Sequence, residues 1–206
     1  MKVVSGVLVR EESNVVYVLL GNGSRDRRVL EAIASKLDHD IVMKEPTMPR
    51  NLGLDGVVRA LRTCLERTRV RVYLLVLDIE HLKVYGERCV EEVIREAFSR
   101  YGLGIDVEKL SDYVYKLELA LGHRRALAYL AINGLESNGL EENLAKLIEV
   151  RLGEKVSPDK VYRVLRDLGK RDIDIVAEAS MEELASAFPG LVNALKALRR
   201  LLKQPS

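Results

Sequence analysis

Two apolar runs that show no polar alternation constrain this chain most. Residues 15–20, Val-Val-Tyr-Val-Leu-Leu, carry no charged side chain, and residues 70–77 carry a single one, Arg71. A strand with one wet face alternates apolar and polar residues, so a run without alternation is covered on both faces. Helices then have to lie above and below the sheet. Ser24 can cap such a helix over residues 25–37, with Val29, Leu30, Ile33 and Leu37 on one face. A second helix is expected over residues 53–68 and a third over 86–101. Strand and helix therefore alternate, as in α/β proteins with a largely parallel sheet.

The remaining segments fill in that plan. Residues 3–10 and 15–20 read as a hairpin joined by the four residues Glu11, Glu12, Ser13 and Asn14. Residues 41–43 can form a short strand, and Pro46 and Pro49 make 45–51 a loop. A further strand pair is expected over 113–121 and 124–132, around the tight turn Gly122-His123. The polar loop 133–139 then leads to a helix over 140–152. Beyond Gly153 the pattern is helical throughout: 158–168, 173–179, 181–188 and 191–202. Ser157-Pro158 and Ser180-Met181-Glu182-Glu183 supply helix-start signals. The expectation is an α/β protein: a mixed, largely parallel sheet flanked by helices over residues 1–152, and a C-terminal helical appendage over 153–206 packed on it.

Composition narrows the class without choosing a ligand. The 206 residues include 33 Lys and Arg against 31 Asp and Glu, a formal charge of +2. That balance selects neither nucleic acid nor an acidic small molecule. Residues 25–71 carry eleven bases and seven acids, net +4, whereas 78–118 carry ten acids and six bases, net −4. One face of the molecule is therefore expected to be mildly basic, although solvated helix faces with ion pairs give the same counts. Twenty-one Arg against 12 Lys and a single Gln resemble a thermophile's usage. No apolar run approaches the roughly 18 residues of a membrane span, and the opening Met1-Lys2-Val3 moves directly into a strand pattern, so a cytoplasmic protein with no membrane partner is expected. Cys64 and Cys89 have no CxxC partner and read as small core residues.

Candidate chemistry clusters at the ends of the strands. Asp78 and Glu80 stand two residues apart where the run 70–77 stops, the place where open α/β sheets put their ligands. Two hard oxygen donors at that spacing suit Mg²⁺, and a plain turn with a solvated Glu80 explains them as well. Glu141 and Glu142 open the helix after Gly139, where either the helix dipole or a metal accounts for them. The turn Gly21-Asn22-Gly23-Ser24, with Arg25 behind it, offers amides at a helix N-terminus to a phosphate. It lacks the GxGxxG and GK[ST] patterns, and ordinary turn geometry also explains its glycines.

The order of these pieces resembles the Toprim fold of topoisomerases, primases and related nucleases, and it looks closest to the small stand-alone Toprim-like proteins. The resemblance covers residues 15–152. It runs through the strand and turn Tyr17 to Arg28, the segment Pro49-Arg50-Asn51-Leu52-Gly53-Leu54-Asp55-Gly56, the strand end Val76-Leu77-Asp78-Ile79-Glu80, and Asn133 through Glu141-Glu142-Asn143-Leu144. The resemblance implies an acidic site at Asp78 and Glu80, with Glu80 in the second place of the family's Asp-x-Asp motif. Where the family carries its first glutamate this chain has Gly21-Asn22, so an enzyme would draw the missing carboxylate from elsewhere, with Asp26 the nearest.

These readings converge on two expectations. The first is a Toprim-like protein that binds or processes nucleic acid or nucleotide phosphate, by Mg²⁺-dependent phosphodiester cleavage if it is an enzyme. Its catalytic residues would be Asp78, Glu80 and Asp26, its metal ligands Asp78, Glu80 and Glu141, and its phosphate contacts Gly21, Gly23, Ser24, Arg25 and Arg50. The alternative is a non-catalytic binding or assembly module that meets a protein partner or a second copy of itself.

Overall fold

A computed structural model describes residues 1–6, 15–21, 24–37, 41–46, 53–83 and 88–203. In chain order its first half comprises β1 (Lys2–Gly6), β2 (Val16–Leu20), α1 (Ser24–Leu37), β3 (Val42–Pro46), α2 (Gly53–Arg67), β4 (Val72–Asp78), α3 (Glu80–Lys83) and α4 (Val90–Arg100). There follow β5 (Gly104–Ser111), β6 (Val114–Leu121), β7 (Arg124–Asn133) and α5 (Leu140–Leu152). After a 3-10 turn at Pro158–Lys160 come α6 (Val161–Asp167), α7 (Asp172–Glu178), α8 (Met181–Ala187) and α9 (Pro189–Lys203).

The seven strands form one mixed sheet in the order β1-β3-β2-β4-β7-β6-β5. The first five in that order are parallel, and β7-β6-β5 continue as an antiparallel meander. The α/β class, the mostly parallel sheet and the helical C-terminus are thus as the sequence indicates. The central strands show why their sequences do not alternate. Val16, Val18, Leu74 and Val76 face one core, whereas Tyr17, Leu19, Tyr73, Leu75 and Leu77 face the other. The first core holds α1, α5 and the C-terminal helices α6 to α9 against the sheet. The second holds α2 and α4.

Several expectations change. β1 and β2 are not a hairpin: β3 lies between them, and β1 runs parallel to β3. An apolar pattern identifies a strand but not its partner, and a β2 buried on both faces takes neighbours on both edges, β3 and β4. The expected turn at 11–14 lies outside the described residues. Glu45 and Pro46 finish β3 instead of opening a loop; a proline is tolerated where a ladder ends. Glu80 opens the single-turn helix α3 and is exposed. Cys64 is buried as expected, and burial pushes its thiol up to about 12, but Cys89 is exposed at the N-cap of α4. Among the described residues no helix is long and apolar enough to cross a membrane.

Candidate functional site

The carboxylates gather where the parallel strands end. Asp78 is the last residue of β4 and pairs in register with Asn133, the last residue of β7. Its carboxyl group points at the start of α5: a Cβ on Gly139 would stand 2.0 Å from the Asp78 carboxyl carbon, so only glycine permits this approach. Asp26, in the first turn of α1, is close enough to Asp78 to act on its charge. Both are buried, Asp26 to 3% exposure and Asp78 to 6%. Glu80 in α3 and Glu141 in the first turn of α5 complete the negative field.

The electrostatics follow from that crowding. Burial first, then repulsion from Glu141, pushes the Asp26 carboxyl up to about 7. Burial, then repulsion from Asp26, Glu80 and Glu141, pushes Asp78 up to about 8, opposed by the Asn133 side chain. The Asp26 Oδ2 is buried and accepts no hydrogen bond among the described residues. Glu141 has cationic company: an Arg25 guanidinium nitrogen lies 3.9 Å away, and the Tyr162 hydroxyl donates to its Oε1 at 3.1 Å. The Arg25 guanidinium also lies 4.2 Å above the Tyr162 ring, so α6 contributes directly to this corner.

The structure therefore brings Asp26, Asp78, Glu80 and Glu141 into one electrostatic neighbourhood, with Arg25 at its rim. Gly21 is buried nearby, its N–H donating to the Val76 carbonyl and its own carbonyl accepting from the Gly53 N–H, both at 2.8 Å. Gly23, the Ser24 side chain and Arg50, expected at the phosphate, lie outside the described residues. Glu142 has another task than its neighbour. Its carboxylate accepts from the successive N–H groups of Leu135, Glu136, Ser137 and Asn138 at 2.6–3.0 Å. Burial works to raise its pKa, but those backbone bonds outweigh it and hold the group down at about 2.

Four residues of this site have a role that the sequence does not disclose. Asn133 follows from the β4–β7 register alone. Gly139 is needed because of the approach of Asp78. Tyr162 arrives from the C-terminal helices. The buried Asn143 accepts from the Gly134 N–H at 2.6 Å and donates to the Ala187 carbonyl at 2.7 Å, fixing the loop to α8. Only Glu142 leaves a local signal, since it stands at the third helical position after Gly139, where a carboxylate reaches back to preceding amides.

All the candidate donors are hard carboxylate oxygens, a set that suits Mg²⁺ or Mn²⁺ and not a thiophilic metal. Among the described residues no group of three or more His, Cys, Asp or Glu is drawn tightly enough to cage an ion. Mg²⁺ does not require a cage: it keeps several waters and is held by one or two carboxylates together with substrate phosphates. The buried Asp78, crowded by the like charges of Glu80 and Glu141, fits that use. Comparison of the chain with family models, curated proteins and solved structures gives no match.

Proposed function

We propose that the protein binds nucleic acid or nucleotide phosphate at the carboxylate cluster, with a divalent cation, and cleaves a phosphodiester there. The observation that carries this reading is the burial of Asp26 and Asp78 in one negative field, with Glu80 and Glu141, at the C-terminal end of the parallel strands. Like charges held together out of water cost stability unless a cation joins them. Open α/β sheets place ligands at this end. The element order resembling Toprim proteins adds support.

In this reading Asp78 and Glu80 would hold the cation, with Glu141 at the margin, and Arg25 would meet a phosphate oxygen. A bound Mg²⁺ would supply Lewis acidity to the phosphoryl group. Asp26, a buried carboxylate beside this cluster, would take the proton of the attacking water as the water oxygen bonds to phosphorus and the ester P–O bond breaks. The departing oxygen is protonated from solvent. A second reading, binding without cleavage, is favoured by one feature: Gly21, not a carboxylate, stands at the end of β2.

Thermal melting with Mg²⁺ or Mn²⁺ tests the site. Metal is expected to raise the melting temperature of the wild type and to leave Asp78→Asn unmoved. Absence of any response in the wild type sinks the metal reading. Metal binding without metal-dependent cleavage of oligonucleotides selects the binding module.

A further inference from the structure

The opposite end of the sheet is basic. Arg71 immediately precedes β4, while Arg124 and Arg125 open β7, the parallel neighbour of β4. The Leu127 N–H donates to the Arg71 carbonyl at 2.7 Å and keeps the two segments side by side. Between them and the C-terminal end of α2 lies a cavity of about 560 Å³, whose wall includes Thr68, Arg69, Arg71, His123, Arg124 and Arg125. Among the described residues no carboxylate lines it.

The fold accounts for only one of the four arginines. The Arg124 guanidinium donates to the Leu65 carbonyl and, at 3.1 Å, to that of Thr68, closing the C-terminus of α2 where the helix dipole favours a cation. Arg125 donates to the carbonyls of Gly122 at 2.8 Å and Arg124 at 3.0 Å, which satisfies N–H groups but cancels no charge. Arg69 and Arg71 are exposed. Among the described residues none of the four pairs with a carboxylate, and the neighbouring Glu66 is taken by Arg62. A guanidinium cannot shed its proton in a protein, so four fixed charges around one hollow repel each other until an anion enters. Planar donors of this kind match phosphate oxygens in pairs.

We propose that this cavity is a second binding site, for a phosphate-bearing ligand, with Arg69, Arg71 and Arg125 as its contacts. The site is separate from the carboxylates: β4 runs between them, and its seven residues span roughly 20 Å at about 3.3 Å each. A free phosphate compound and the backbone of a nucleic acid present the same oxygens to it.

Calorimetric titration of the full chain in chelator, with inorganic pyrophosphate and separately with a single-stranded oligonucleotide, distinguishes these sources. Metal-free conditions and Asp78→Asn as a control keep the carboxylate site out of the readout, so either site can fail alone. Binding is expected to fall at least about tenfold in Arg71→Gln/Arg125→Gln and to fall less in Arg71→Lys/Arg125→Lys, which keeps the charge but loses the planar fork. Arg69→Gln, outside both strands, is expected to weaken binding in the same direction should the double variant fold poorly. Pyrophosphate binding alone identifies a free phosphate compound. Tighter oligonucleotide binding with a steep salt dependence identifies a phosphodiester backbone. Absence of binding to both probes in the wild type, or equal binding by the folded glutamine variants, overturns the proposal.

Discussion

At the scale of single residues, Asp26 and Asp78 make the stability depend on pH in an unusual direction. Their pKa values in the folded chain, about 7 and about 8, lie above the ordinary 3.8. Between roughly pH 4 and pH 8 the folded state thus holds protons that the unfolded state releases, so these groups reduce stability as pH rises through that interval. Asp78→Asn is expected to stabilise the metal-free protein by on the order of 1–3 kcal/mol above pH 8, a gain that vanishes near pH 4. Urea denaturation at the two pH values checks this, and a gain equal at both would contradict the assignment. Asp78 was legible as an acid at a strand end, because the apolar run stops there. The burial of Asp26 was not: its neighbours Arg25, Arg27 and Arg28 are charged, and nothing local distinguishes it from a solvated helix start.

At the scale of elements, the loop 134–139 is built around one carboxylate. Four successive N–H groups converge on Glu142, and the loop carries Gly139 against Asp78. Glu142→Gln keeps the size but loses the charge, and is expected to cost about 1–3 kcal/mol while also weakening the metal response of the neighbouring carboxylates. Melting curves of the variant with and without Mg²⁺ read both effects; an unaltered metal response would show that the loop does not position the site. Because the Glu142 pKa is depressed to about 2 from the ordinary 4.5, its contribution is complete above pH 4.5 and disappears as pH falls towards 2. Gly139→Ala is a sharper intervention, since the new Cβ would overlap the Asp78 carboxyl. Helix α5 was legible from its periodicity. Strand β5 was not, because an edge strand that is mostly exposed carries a polar sequence, Gly-Ile-Asp-Val-Glu-Lys-Leu-Ser.

At the scale of the whole molecule, the C-terminal helices share a core with the sheet. Leu191, Val192, Leu195 and Leu198 of α9 join β2, β4 and α1 in one apolar cluster. Gly190 lies so close to β7 that a Cβ would stand 2.2 Å from the Ile132 carbonyl oxygen. Arg28 reaches the buried Asp172 at 3.4 Å, and the Lys36 ammonium donates to the Ala179 carbonyl at 2.9 Å, tying α1 to α7 and its end. Gly190→Val is therefore expected to destabilise the protein by about 2–4 kcal/mol. Near- and far-ultraviolet circular dichroism should still melt together. Loss of the helical tail at a lower temperature than the sheet would show that the two unfold apart.

What the sequence determined by itself is local: which segments are strands or helices, which faces are apolar, and that unalternating strands must be covered on both sides. An acid at the end of β4 belongs to that list, because a buried run ends visibly. Tertiary structure alone decided that β3 enters between β1 and β2, that Asp26 feels the charges of Asp78 and Glu141, and that Arg71 and Arg125 line one cavity. Periodicity records how one segment meets water, over a few residues. Strand neighbours, desolvated carboxylates and uncompensated arginines depend on contacts between segments distant in the chain, and no short stretch of sequence carries them.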